Sequence, residues 1–152
     1  MRLLHHVAAS IPLGFAVKFI GGSNEYALIS VVSSIVIDLD HIPDYMLTTK
    51  GWYGVKDFFS FCSRSGFDRV YFVLHAWEWA ILLCCGGFFG AISPCLVAIG
   101  SGLAYHLAFD TIGNATSPKF YWFSYRASKN FSANKLLSSV RPKIHRGGLN
   151  KV

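Results

Sequence analysis

The stretch Ile35-Val36-Ile37-Asp38-Leu39-Asp40-His41-Ile42-Pro43-Asp44 decides the fold class. It closes an apolar run that begins at Tyr26, yet it holds three carboxylates and an imidazole. An ionisable side chain at the centre of a membrane helix costs roughly 2.5 to 3.5 kcal/mol on insertion scales. Four bare carboxylates of this kind along the chain would therefore cost on the order of 12 kcal/mol. Such a cluster needs a partner, and a bound metal contributes about 10 to 16 kcal/mol in structural zinc sites. Asp40 and Asp44 are four residues apart and so share one side of a helix. Pro43 is placed to kink or end that helix beside them.

The same pattern recurs along the chain. Apolar segments run from Val7 to Ile20, Tyr26 to Leu47, Val70 to Gly90 and Ile92 to Ile112. Spanning a bilayer takes about 20 residues, so the last three qualify and the first is marginal. The third segment carries His75 and Glu78, three apart, and the fourth carries His106 and Asp110, four apart. His5 and His6 open the first. The fold expected is all-α, a polytopic bundle of about four transmembrane helices. Composition agrees: 53% of the 152 residues are hydrophobic and only 14% charged, against about 25% charged in soluble domains.

Four helices of alternating direction bring every one of these polar residues to a single face. Lys and Arg assign that face. Arg2, Lys50, Lys56, Arg64, Arg69 and the eight basic residues after Pro118 fall on it, whereas the opposite side has only Lys18. The shared face, with both termini, is expected to be cytoplasmic. No small-residue cleavage site follows the first apolar run, so a signal peptide is not expected.

Imidazole with carboxylate suits zinc, manganese or iron better than calcium. His6, Asp38, Asp40, His41, Asp44, His75, Glu78, His106 and Asp110 are the candidate ligands, with Asp40, His75 and Glu78 the candidate catalytic groups. More than four candidates is enough for two divalent ions, zinc or manganese by preference. Cys62, Cys84, Cys85 and Cys95 have no metal-type spacing, and the adjacent pair sits in an apolar run as small hydrophobes.

Two segments are expected at the membrane surface. Thr48 to Arg69 mixes Phe58, Phe59, Phe61 and Phe67 with charge, as an interfacial segment does. Phe120, Tyr121, Trp122, Phe123 and Tyr125 form an aromatic belt. The chain divides by composition into a membrane-embedded metal-binding part, 1–118, and a basic cytoplasmic tail, 119–152. That tail has no acidic residue, and beside apolar spans its partner is anionic lipid rather than nucleic acid. Gly86, Gly87 and Gly90 fit close helix packing.

Three patches resemble the YdjM-type inner-membrane metal-dependent hydrolases of bacteria. His6-Val7-Ala8-Ala9-Ser10 is similar to the family's N-terminal His with a Ser four later. Asp38-Leu39-Asp40-His41 resembles its Asp-x-Asp-His motif. Tyr105-His106-Leu107-Ala108-Phe109-Asp110, followed by Pro118, resembles its His-x-x-x-Asp segment and later proline. The chain departs from the family ahead of the third span, where His75 matches the second histidine of His-Arg-Gly-x-Thr-His-Ser and the first is absent. A looser similarity connects the His-x-x-x-Asp pattern to zinc-dependent phospholipases C. The resemblance implies a bacterial inner-membrane hydrolase of phosphoester or related bonds in a lipid or membrane-proximal substrate. The alternative is a non-enzymatic metal or proton carrier or scaffold, which would require polar groups continuing to the far side.

Overall fold

A computed structural model describes residues 3–64, 66–90, 93–114 and 117–137, with the side chains of 3–6 and of Phe88 outside that description. It is all-helical: α1 (Leu3–Gly21), α2 (Asn24–Val36), α3 (His41–Thr49), α4 (Val55–Ser63), α5 (Trp77–Phe88), α6 (Pro94–Gly113), α7 (Phe123–Ser128) and α8 (Ala133–Leu137). Short 3-10 turns occupy Ile37–Asp40 and Pro118–Tyr121. Among the described residues the only extended pairing is an isolated bridge between Arg69 and Ser132.

Local chemistry sets the long helices. Gly22, at φ 69, takes the left-handed conformation that stops α1 and turns the chain. Ser23 then caps α2 by accepting the Tyr26 amide. Ser93 caps α6 by accepting the Cys95 amide, with Pro94 at the first helical position. At about 1.5 Å per residue α6 is about 30 Å long.

The four long helices lie side by side in the order α1, α2, α6, α5. Glycines set the spacing. A Cβ on Gly102 would collide with the α2 backbone at Ser30, and one on Gly87 with the Val97 side chain of α6. Close approach through small residues is how helices associate where apolar burial gives little.

Asn24–Thr49, counted across its 3-10 turn, and Pro94–Gly113 are long and apolar enough to cross a membrane. Only 17% and 39% of their most apolar windows are buried. Phe15, Phe19, Ile20, Leu28, Ile81, Leu82 and Ile112 point outward, Phe19 at 93% exposure. The helix of α5 is shorter than the apolar run Val70 to Gly90, because residues 70–76 are irregular. Pro43 does not end its helix. It sits in the first turn of α3, where a missing N–H is tolerated, and the change of winding falls just ahead of it at Ile37–Asp40.

The segment between α2 and α5 and the one after α6 gather at one end of the bundle. The expected interfacial aromatics mostly point inward there. Phe58 and Phe67 are buried and Phe61 is packed on the core. Tyr45, Phe61, Phe67 and Phe72 meet edge to face in sequence, and Phe72 stacks on His41 at 4.2 Å. Trp52, Tyr53, Val55 and Phe59 are the exposed members of this region. Residues 117–137 are likewise no free tail. Phe120, Tyr121, Arg126, Ala133 and Leu136 are buried, so the compositional boundary at 118 is not a boundary of packing. The rest of the basic tail, 138–152, lies outside the described residues.

Candidate metal centre

Three elements deliver polar side chains to one point at this end. The 3-10 turn after α2 carries Asp38, the irregular segment before α5 carries His75, and the last turns of α6 carry His106 and Asp110. Asp38 Oδ1 lies 3.6 Å from His75 Nε2 and 3.4 Å from His106 Nε2. Asp110 Oδ2 lies 3.5 Å from His106 Nε2. Nitrogen and oxygen ligands about 2.1 Å from a tetrahedral metal stand about 3.4 Å from one another. The spacings match that edge length.

The outward nitrogens settle how the rings are protonated. His106 Nδ1 is 2.6 Å from the Ser34 carbonyl, which can only accept, so Nδ1 bears the proton. His75 Nδ1 is 3.3 Å from Asp40 Oδ2. In the neutral rings both Nε2 atoms therefore turn lone pairs toward the Asp38 carboxylate. His75 Nε2 is buried without a hydrogen-bond partner. Lone pairs converging on one point fit a cation, and the mixture of imidazole and carboxylate fits zinc or manganese.

His41 adjoins the same point. Its Nδ1 is 3.2 Å from the Asp38 carbonyl, and its ring meets that of His75 edge on at 4.6 Å. Asp38, His41 and His75 form one group whose ligand atoms lie within 4.8 Å of one another, and His75, His106 and Asp110 form a second. The two share His75. Three of the side chains are covered and one is not: exposure is 1% for His75, 0% for His106 and 7% for Asp110, but 26% for Asp38. Access runs past Asp38.

Other candidates named from the sequence stand outside these groups. Asp40 Oδ2 accepts the amides of Leu74 and His75 as well as contacting the His75 ring, so it holds a histidine in place, as carboxylates behind metal-binding imidazoles do. Asp44, expected as a ligand, instead accepts the amides of Tyr71 at 2.6 Å and Phe72 at 3.1 Å. Glu78 accepts from Phe123 N, Ser124 N and Ser124 Oγ, capping α7. Asp44 ties down irregular backbone, and Glu78 the first amides of a short helix. The His5 and His6 side chains lie outside the described residues.

One buried residue at this junction escaped the sequence reading. Arg126 is wholly buried and donates to three carbonyls, those of Phe72, His75 and Phe120, each at 2.9 Å. Burial pulls its guanidinium down to about 10, against the opposing pull of Glu78, Asp40 and Asp44. Within a run of basic and aromatic residues, nothing marked it apart from its neighbours. All four cysteines are free and none belongs to the centre.

No protein-family model, curated protein or solved structure matches the chain.

Proposed function

We propose that the chain is a membrane-embedded metal-dependent hydrolase that cleaves a phosphoester or related bond in a lipid or membrane-proximal substrate. The observation that carries this reading is that Asp38 stands 3.6 Å from His75 and 3.4 Å from His106, and Asp110 3.5 Å from His106, spacings that metal ligands take. Because the two ligand groups share His75, and a neutral imidazole offers one lone pair, a single ion is the simplest occupant. His41 adjoins Asp38 and His75 as a further nitrogen beside that ion. A divalent zinc or manganese ion held there supplies a Lewis acid that activates water and polarises a phosphoryl oxygen.

The protein's own groups divide the remaining work. Asp40 and the Ser34 carbonyl orient the two imidazoles. The buried floor excludes bulk water, and the exposed edge of Asp38 admits substrate. Lys50, Lys56 and Lys129 belong to elements at this same end and would draw an anionic headgroup toward it. In the proposed topology α1, the α2–α3 pair, α5 and α6 cross the bacterial inner membrane, with the centre and both termini on the cytoplasmic side.

A carrier would need polar groups leading through the bundle. Away from the centre, the Ser30 hydroxyl turns back to the Ala27 carbonyl of its own helix, and the Ser33 hydroxyl is taken up by the carbonyls of Ser30 and Ile99. That favours an enzyme over a carrier. The test is a panel of lipid phosphoesters in mixed micelles with zinc or manganese. Hydrolysis that chelator abolishes and Asp38→Ala lacks is expected. Equal turnover by wild type and Asp38→Ala would refute the assignment.

A further inference from the structure

Residues 70–76 deliver His75 but have no regular structure, so their backbone groups must find partners elsewhere. The amides are met by acids: Asp44 takes those of Tyr71 and Phe72, and Asp40 takes those of Leu74 and His75. Two of the segment's carbonyls, those of Phe72 and His75, converge on one residue together with that of Phe120. Arg126 Nη2 donates to Phe72 O, and Nη1 donates to His75 O and Phe120 O. Phe72 adopts φ 35, a left-handed conformation that bulky side chains rarely take and that persists only when neighbours hold it. Its amide is fixed by Asp44 and its carbonyl by Arg126. Three residues later the chain presents His75 to Asp38.

We propose that Arg126 is a positioning residue for the metal centre, its fork fixing the backbone turn that sets His75 Nε2 against Asp38. The segment 117–137 thereby becomes part of the centre, although it supplies no ligand. Glu78 secures the same junction from the opposite side, by capping the helix on which Arg126 sits. The planar guanidinium is required because it reaches three carbonyls at once, which an ammonium of similar charge does not. The proposal rests on the metal reading above.

Cobalt(II) titration of the full chain in detergent, followed by visible absorption, tests it, since the spectrum reports ligand geometry as well as affinity. Arg126→Lys and Arg126→Gln should bind Co2+ about 10- to 100-fold more weakly than wild type, with an altered spectrum. Leu13→Ala, at a buried position in the middle of α1, should lower the unfolding temperature yet keep wild-type affinity and spectrum. Arg126 variants that match wild type in both would overturn the positioning role and leave the metal reading standing. A wild type that binds no Co2+ would remove both. If Arg126→Gln does not fold, Glu78→Gln loosens α7 while keeping the Arg126 side chain in place. Weaker Co2+ binding there supports the proposal, and unchanged binding overturns it.

Discussion

His106 donates its Nδ1 proton to the Ser34 carbonyl at 2.6 Å, and this bond ties α6 to α2 at the level of the candidate ligands. The helices approach closely enough for it because residue 102, one turn earlier on α6, is glycine. A Cβ there would meet Ser33 Oγ, Ser30 O and Ser34 N, two of them backbone atoms that cannot swing aside. Gly102→Ala should therefore cost about 1 to 3 kcal/mol of stability and weaken metal binding, since α6 must move away from Ser34. Gly21→Ala, where a Cβ meets nothing within 4 Å, should leave both unchanged. Thermal unfolding and metal content of the two variants make the comparison.

The candidate acids should separate into distinct classes. Asp38→Ala, His75→Ala and Asp110→Ala should abolish metal binding. Asp40→Asn should weaken it by about 10- to 100-fold, because the His75 ring loses its orienting carboxylate. Asp44→Ala should mainly cost stability, about 1 to 3 kcal/mol, by leaving the Tyr71 and Phe72 amides unmatched. Ser101→Ala should do neither, as its hydroxyl bonds only Val97 O on its own helix. Equilibrium dialysis alongside thermal unfolding distinguishes these outcomes. A full loss of metal in Asp44→Ala would place that residue among the ligands.

The aromatic cluster should prove structural. Phe58 is buried against Tyr45 and Trp52, so Phe58→Ala should cost about 3 to 5 kcal/mol. Phe59→Ser and Tyr53→Ser remove exposed rings and should leave unfolding nearly unchanged while reducing retention on anionic vesicles. Comparable destabilisation by all three would mean that the exposed rings also pack against the fold.

The proposed topology is open to labelling in a cysteine-free background. Asn24→Cys, at the turn between α1 and α2, should react with an impermeant reagent from outside. Arg64→Cys and Lys129→Cys should stay protected in intact cells. The reverse pattern would place the centre on the other side of the membrane.

What could be read directly from the chain was the chemistry of the helices. Asp38, His106 and Asp110 stand out because charge inside an apolar run is costly and helical spacing tells which residues share a side. The irregular segments carry no such period. Asp44, Glu78 and Arg126 all act on backbone groups 27 to 54 residues away, and no local pattern announces a partner at that distance. Phe58, Phe61 and Phe67 suited a headgroup layer by composition, but Phe58 and Phe61 pack on Tyr45 and Phe67 on Phe72, where burial gains more. Residues 117–137 resembled a solvated tail because their basic side chains outnumber acids, and charge count says nothing of a buried arginine that bonds carbonyls.

The central claim is that Asp38, His75, His106 and Asp110 hold a divalent ion, and metal analysis of the full chain measures it most directly. Protein purified in detergent without chelator should carry about one equivalent of zinc or manganese, and chelator should lower its unfolding temperature. His106→Ala should carry none while remaining inserted. Wild type without metal after supplementation with both ions, and with unfolding indifferent to chelator, would contradict the account and leave these residues an intramembrane hydrogen-bond network.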